Sequence, residues 1–71
     1  MTVTITIQGY GPGGLFVRAT HCQDTFADFD AVKTKANELW KEFKAPDVPY
    51  LQMFILDIEK QKNVFYHASF R

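Results

Sequence analysis

The sequence predicts an α+β domain with the element order strand–strand–helix–strand–strand (ββαββ), in which one helix packs on one face of a four-stranded sheet. Two N-terminal segments alternate apolar and polar residues in the manner of half-buried strands. A central segment repeats its apolar residues at the spacing of an α-helix, and two further strand-like segments follow it. A chain of 71 residues has room for one hydrophobic core but not for two. Residues 1–71 are therefore predicted to form a single domain.

The first two strands are predicted to form a hairpin. Residues 2–7 alternate threonine with valine or isoleucine, and residues 15–22 alternate apolar and polar side chains again. The segment between them, residues 9–14, holds all four glycines of the chain and one proline. This composition is typical of a turn, so the two strands are expected to be antiparallel neighbours.

The glycines of this turn also match the G-x-G-x-x-G pattern of dinucleotide-binding sites. In such a site the third glycine opens a helix, whose N-terminal amide groups hold the pyrophosphate. Here Gly14 precedes a strand instead, and Pro12 removes one amide donor. The segment is therefore interpreted as a hairpin loop, and no cofactor is predicted.

The helix is predicted to begin at Asp24 or Thr25, either of which can act as the N-cap, and Thr25-x-x-Asp28 approximates a capping box. Pro46 and Pro49 are predicted to end it, because proline cannot continue a helix and restricts the residue before it. One face of the helix is apolar and is formed by Phe26, Phe29, Val32, Ala36, Leu39, Trp40 and Phe43.

The last two strands are predicted at residues 50–58, the most apolar stretch of the chain, and at residues 64–70, with a polar turn between them. A right-handed crossover between strands two and three leaves two strand orders open. Order 2-1-4-3 is similar to the element order of β-grasp domains, such as ubiquitin and the small immunoglobulin-binding domains. Order 2-1-3-4 is all antiparallel and places the apolar third strand in the centre of the sheet.

The strands carry more large apolar side chains than one helix can cover. Such residues stand at consecutive positions, and so on both faces of the sheet, in Leu15 and Phe16, Met53 and Phe54, and Val64 and Phe65. Monomeric proteins rarely expose apolar patches larger than a few hundred Å². Either the sheet curls around the helix, or another chain covers its second face. We expect the second arrangement, with a protein partner or a second copy in a homodimer.

Catalysis and metal binding are not expected. Cys22 and His67 are the residue types of a nucleophile and a base, with Asp24 or Asp57 as the orienting group, but a domain of this size has little room for a substrate cleft behind its core. His21 and Cys22 are adjacent in a predicted strand, so they point to opposite faces and cannot ligate the same metal ion there. The protein is therefore predicted not to be an enzyme.

Charge and cysteine usage indicate the compartment and the class of partner. A single cysteine cannot form an internal disulfide, and the N-terminal segment lacks the features of a signal peptide, so a cytoplasmic location is expected. No apolar run is long enough to span a membrane. The formal net charge is +0, which disfavours nucleic-acid binding because that depends on excess lysine and arginine.

The sequence therefore predicts a small, non-enzymatic protein-binding module that uses an open sheet face or an edge strand. By analogy with other compact proteins of phages and mobile elements, it is expected to act as an inhibitor or accessory subunit of a larger complex. The predicted partner-binding residues are Tyr10, Phe16, Arg18, Phe65 and His67, because aromatic and arginine side chains dominate interface hot spots.

The alternative function is single-stranded nucleic-acid binding, with bases stacked on an aromatic sheet face. Its predicted residues are Phe16, Phe54, Phe65, Arg18 and Arg71.

Overall fold

The computed structural model describes residues 1–70, apart from the side chain of Phe70; Arg71, which the nucleic-acid hypothesis uses, lies outside the described residues. Over residues 1–70 the chain forms one α-helix and four strands, with a short 3₁₀ turn at Pro12–Gly14. The elements are β1 (Thr2–Tyr10), β2 (Phe16–Thr25), α1 (Phe29–Phe43), β3 (Tyr50–Asp57) and β4 (Lys62–Phe70).

The four strands form one antiparallel sheet in the order β2-β1-β3-β4. The predicted α+β class and the all-antiparallel order are confirmed, and the β-grasp-like order is wrong because β1 pairs with β3 and not with β4. The physical reason lies in β3, whose Leu51, Met53 and Ile55 are all buried. A central position gives this apolar strand a paired neighbour on each edge and places it under the helix.

The helix begins later than the sequence predicts, because β2 is longer. β2 pairs with β1 as far as Thr2 and Thr25, and the ladder is extended by the Phe26 amide, which donates to the Met1 carbonyl at 2.8 Å. Asp24 and Thr25 therefore belong to a strand and do not cap the helix. The N-cap is Asp28, whose Oδ1 accepts a hydrogen bond from the Ala31 amide at 2.9 Å.

The helix packs across one side of the sheet, here called the helix-covered face. From Phe29 onward the predicted apolar row of α1 is confirmed, since Val32, Ala36 and Phe43 are buried and Leu39 and Trp40 pack partly buried against them. Phe26, which was expected to start this row, lies before the helix and packs partly buried against the core from there. None of the helices in the described part of the chain has the length and apolar character needed to cross a membrane. The buried core consists of Val3, Ile5, Ile7, Val32, Ala36, Phe43, Val48, Leu51, Met53 and Ile55.

The glycines of the predicted turn have two different roles. Gly13 and Gly14 adopt positive φ angles of 77° and 79°, as a tight loop requires. Gly9 instead lies within β1, where a Cβ atom would stand 2.7 Å from Val48 Cγ1 and 2.8 Å from Phe43 Cε1. The absence of a side chain at Gly9 therefore lets the end of α1 and the following loop approach the sheet closely.

Candidate functional site

The side of the sheet opposite the helix, here called the open face, is defined by the strand register. Directly opposed residues of antiparallel strands lie on the same side of a sheet. Two contacts show this directly: Thr6 Oγ1 lies 3.1 Å from His21 Nδ1, and Thr2 Oγ1 lies 3.0 Å from Thr25 Oγ1. The open face consists of Thr2, Thr4, Thr6, Gln8 and Tyr10 of β1; Phe16, Ala19, His21, Gln23 and Thr25 of β2; Tyr50, Gln52, Phe54 and Leu56 of β3; and Asn63, Tyr66 and Ala68 of β4.

Among the residues that the structure describes, the open face carries no aspartate, glutamate, lysine or arginine. The strands do contain such residues, namely Arg18, Asp24, Asp57 and Lys62. All four occupy register positions on the helix-covered face: for example, Arg18 pairs with Gly9 and Asp24 with the buried Val3. The charges of the strands are thus segregated to one side of the sheet.

Aromatic side chains gather at one end of the open face and along β3 and β4. The ring of Tyr10 makes edge contacts with Phe16 and Tyr50, at centroid separations of 5.9 and 5.6 Å. The rings of Phe54 and Tyr66 lie 5.1 Å apart. Phe16 and Tyr66 are nevertheless 59% and 55% exposed. These two rings are therefore held by neighbours on one side and present their other side to solvent.

Two glutamine side chains fix the tyrosine hydroxyl groups. Tyr10 donates a hydrogen bond to Gln8 Oε1 at 3.1 Å. Gln52 Nε2 donates to the Tyr50 hydroxyl at 2.9 Å and, more weakly, to the Tyr66 hydroxyl at 3.4 Å. Desolvation by neighbouring groups, with a further contribution from the Tyr50 phenol, raises the pKa of Tyr66 above its usual value of 10.0. Tyr66 therefore stays protonated throughout the physiological range and can both donate and accept hydrogen bonds.

The five predicted partner-binding residues do not form one surface. Tyr10 and Phe16 lie on the open face, as described above. Phe65 and His67 lie on the helix-covered face, where Phe65 packs partly buried against the core and the His67 ring lies 5.1 Å from that of Trp40. The expectation that Phe65 shares a binding face with Phe16 is therefore wrong. Alternation within β4 separates two sets of residues, but it does not say which set faces the helix.

A β-bulge in β4 adds a second departure from simple alternation. The register shifts between Ile55 and Leu56, which pair with Phe65 and Asn63, so Val64 is an extra residue. Val64 and Phe65 both pack against the core, although they are consecutive in the chain. The apolar surplus predicted for the second face is therefore smaller in β4 than the sequence indicates.

Arg18 stabilises the end of the helix. Its Nη2 donates a hydrogen bond to the Phe43 carbonyl at 2.7 Å, and its guanidinium carbon lies 4.6 Å from the centroid of the Phe43 ring. Asp47 Oδ1 lies 3.5 Å from the same Nη2 and forms a partly exposed salt bridge with it. A cation at this position satisfies a carbonyl left unpaired at the helix C-terminus and complements the helix dipole. This contact gives Arg18 a structural role on the helix-covered face.

Sequence reasoning missed Gln8, Gln52, Tyr50 and Tyr66, which complete the site. The first three stand in runs in which every second residue is uncharged: Tyr50, Gln52, Phe54 and Leu56 in β3, and Thr2 to Tyr10 in β1. Tyr66 lies in β4, where the bulge interrupts the alternation. The available signal was this absence of charge at alternate positions, read across strands together. This absence of charge becomes informative only when the strand register shows that the uncharged positions of β1 and β3 lie on the same face of the sheet.

The residues considered for catalysis or metal binding are not brought together. Cys22 lies on edge strand β2 and His67 on edge strand β4, three strand spacings or roughly 14 Å apart across the sheet. His21 and Cys22 occupy opposite faces, as predicted. The buried Asp57 carboxylate accepts a hydrogen bond from the Lys60 amide at 3.1 Å and holds the turn between β3 and β4.

A shallow groove between β2 and α1 has a volume of about 210 Å³ and is lined by Thr20, Leu39, Glu42 and Phe43. Small-molecule sites usually enclose about 300–1,000 Å³. The groove is smaller than such sites and open to solvent, so the open face is the better candidate site.

Comparisons of the chain with protein-family models, with curated proteins and with solved structures find no match.

Proposed function

We propose that the protein is a non-enzymatic protein-binding module that contacts its partner through the open face. The observation that carries the proposal is the composition of this face, which combines exposed aromatic rings with the absence of aspartate, glutamate, lysine and arginine among the described residues. The buried centres of protein interfaces have the same composition, since they are depleted in charge and enriched in tyrosine and phenylalanine. A solvent-facing sheet usually carries charged residues instead.

The geometry of the site favours tight contact. The hydroxyl groups of Tyr10 and Tyr50 are held by Gln8 and Gln52, so these rings have little rotational freedom left to lose on binding. Tyrosine also has few rotatable bonds for its contact area. Phe16 and Tyr66 are the most exposed rings of the face and are the proposed anchors.

Single-stranded nucleic-acid binding is less well supported. The paired rings of Phe54 and Tyr66 resemble a stacking platform, which is the observation in its favour. Such sites also need cations along the phosphate backbone. In residues 1–70 the open face offers no lysine or arginine, and Arg18 is held against Phe43 on the other side of the sheet.

We also propose that the protein works in the cytoplasm, where Cys22, which is free and half-buried, would stay reduced. The expectation that it is an inhibitor or accessory subunit from a phage or mobile element stays a prediction.

The proposal is tested by affinity capture from lysate of the native host with three tagged proteins: wild type, Tyr66→Lys and Asn37→Lys. The first variant puts a charge in the open face. The second puts the same charge on the exposed, outer side of α1 and serves as the matched control. We expect the wild type and Asn37→Lys to retain the same proteins after nuclease treatment, and Tyr66→Lys to lose them. Equal retention by all three proteins would contradict the open-face mechanism, and retention that disappears with nuclease would favour nucleic acid.

A further inference from the structure

We propose that the partner at the open face is a second copy of this chain, so that two sheets pack face to face in a twofold-symmetric dimer. The inference rests on the proposed function, because it uses the same face.

The area of the face is sufficient for a stable dimer. Four strands of eight to ten residues, spaced about 4.8 Å apart with a rise of about 3.3 Å per residue, span roughly 19 by 30 Å. This corresponds to roughly 600 Å² per chain, or about 1,200 Å² for two copies, which is the lower bound for stable specific interfaces. The projection of side chains such as Phe16 and Tyr66 adds to this flat estimate.

The charge distribution suits self-association. In a twofold interface the same patch is used by both copies, so any charge near the axis meets an identical charge. Like charges in contact strongly disfavour such an interface. The described open face avoids this because the charged residues of the strands, such as Arg18 and Asp24, are on its opposite side. The formal net charge of the whole chain is +0, so two copies do not repel each other at long range either.

The hydrogen-bonding groups of the face can pair with copies of themselves. Threonine and tyrosine hydroxyl groups and the glutamine amide each contain both a donor and an acceptor. Carboxylates only accept hydrogen bonds, whereas lysine and arginine only donate them, so none of these can pair with its own kind. The polar groups of the open face, among them Thr4, Thr6, Gln8, Gln52 and Tyr66, all belong to the self-complementary class. Near a twofold axis each of these groups can pair with its own copy, so the composition of the face suits a second copy of the chain.

Sedimentation velocity over a range of protein concentrations tests the inference. We expect the wild type to sediment at twice the 8.2 kDa mass of one chain at micromolar concentration and above. Tyr66→Lys and Ala68→Lys each place a lysine on β4 at an exposed position of the open face. Each is expected to weaken the dimer at least about tenfold, which corresponds to about 1.4 kcal/mol. Asn37→Lys, the control on α1, should dimerise like the wild type.

Circular dichroism and cooperative thermal unfolding establish that each variant is folded. Ala68→Lys extends a small, exposed side chain without removing a ring contact, so it keeps the test valid if Tyr66→Lys fails to fold. A wild type that remains monomeric up to about 500 μM would overturn the dimer. A dimer that persists in both open-face variants would also overturn it, because the contact would then lie elsewhere.

The two proposals fail in different ways. If the wild type is monomeric but captures a protein that Tyr66→Lys does not capture, the dimer is wrong and the protein-binding function stands. If neither self-association nor capture responds to Tyr66→Lys, both proposals are wrong.

Discussion

The guanidinium of Arg18 makes two contacts with Phe43, the last residue of the helix. It donates a hydrogen bond to the Phe43 carbonyl at 2.7 Å, and its carbon lies 4.6 Å from the centroid of the Phe43 ring. Edge strand β2 is thereby joined to the end of α1. Because β2 is otherwise attached to the sheet only through β1, this contact is a second attachment for the strand.

Arg18→Ala is expected to lower the free energy of unfolding by about 1–2 kcal/mol, since it removes a charge-assisted hydrogen bond and a cation–π contact. Arg18→Lys keeps the charge but loses the planar stacking on the ring. The stability of this variant should therefore lie between that of the wild type and that of Arg18→Ala. Urea unfolding followed by circular dichroism measures the differences. Association through the open face should not change, because Arg18 lies on the opposite side of the sheet. If Arg18→Ala is as stable as the wild type, the contact does not hold the helix end.

Gly9→Ala is expected to destabilise the protein by about 1–3 kcal/mol, because its new methyl group would overlap both Val48 and Phe43. Gly11→Ala is the matched control. A Cβ atom there would lie 3.3 Å from Cγ2 of Val17, whose side chain is exposed and can move. Thermal unfolding of the two variants should therefore show a much larger loss for Gly9→Ala. Equal losses would mean that the close approach at Gly9 is not the cause.

Asp28→Ala should cost about 0.5–2 kcal/mol, since it removes the side chain that caps α1. Asp24→Ala tests the N-cap expected from the sequence. Asp24 is exposed in β2, and within residues 1–70 its side chain bonds only the adjacent Thr25 amide. Its loss should therefore change stability by less than about 0.5 kcal/mol. Chemical denaturation of both variants decides between the two positions, and a larger effect at Asp24 would contradict the observed start of the helix.

The ionisation of Tyr66 is expected above pH 10.0, because desolvation by its neighbours favours the neutral phenol. A raised pKa in the folded state means that the folded protein holds this proton more tightly than the unfolded chain does. The contribution of the Tyr66 phenol to the free energy of unfolding is therefore fully present at pH values below its pKa in the unfolded chain. It is lost as the pH rises through its pKa in the folded protein. Ultraviolet titration of phenolate absorbance should show a tyrosine that ionises late, and Tyr66→Phe should remove this step. A titration in which Tyr66→Phe removes an unshifted tyrosine would contradict the assignment.

Local sequence patterns are sufficient to predict the strand and the helix that each bury one face. The alternation in β1 and the apolar row around Val32 and Ala36 depend on nearest neighbours in the chain, and both were predicted correctly. The start of the helix was missed because it is set by distant residues. Thr25 pairs with Thr2, and Phe26 exchanges backbone hydrogen bonds with Met1, so β2 continues where the local sequence favours a cap.

The candidate site was predicted in part for the same reason. Tyr10 and Phe16 are among the predicted partner-binding residues, and their shared face follows from the hairpin that joins them. Phe65 and His67 were placed on the wrong side because the choice between two alternating sets in β4 depends on its register with β3. The sequence left the order of these strands open, so this register could not be predicted.

The absence of formal charge from the described open face has a consequence for the kinetics of any association through it. Opposite charges on two surfaces accelerate their encounter by steering them together, and dissolved salt weakens that effect. Without such charges, binding should proceed at the unassisted rate of about 10⁵–10⁶ M⁻¹s⁻¹ and should respond little to ionic strength. The lifetime of the complex must then come from packing, so it is the rate of dissociation that aromatic residues such as Tyr66 and Phe16 control.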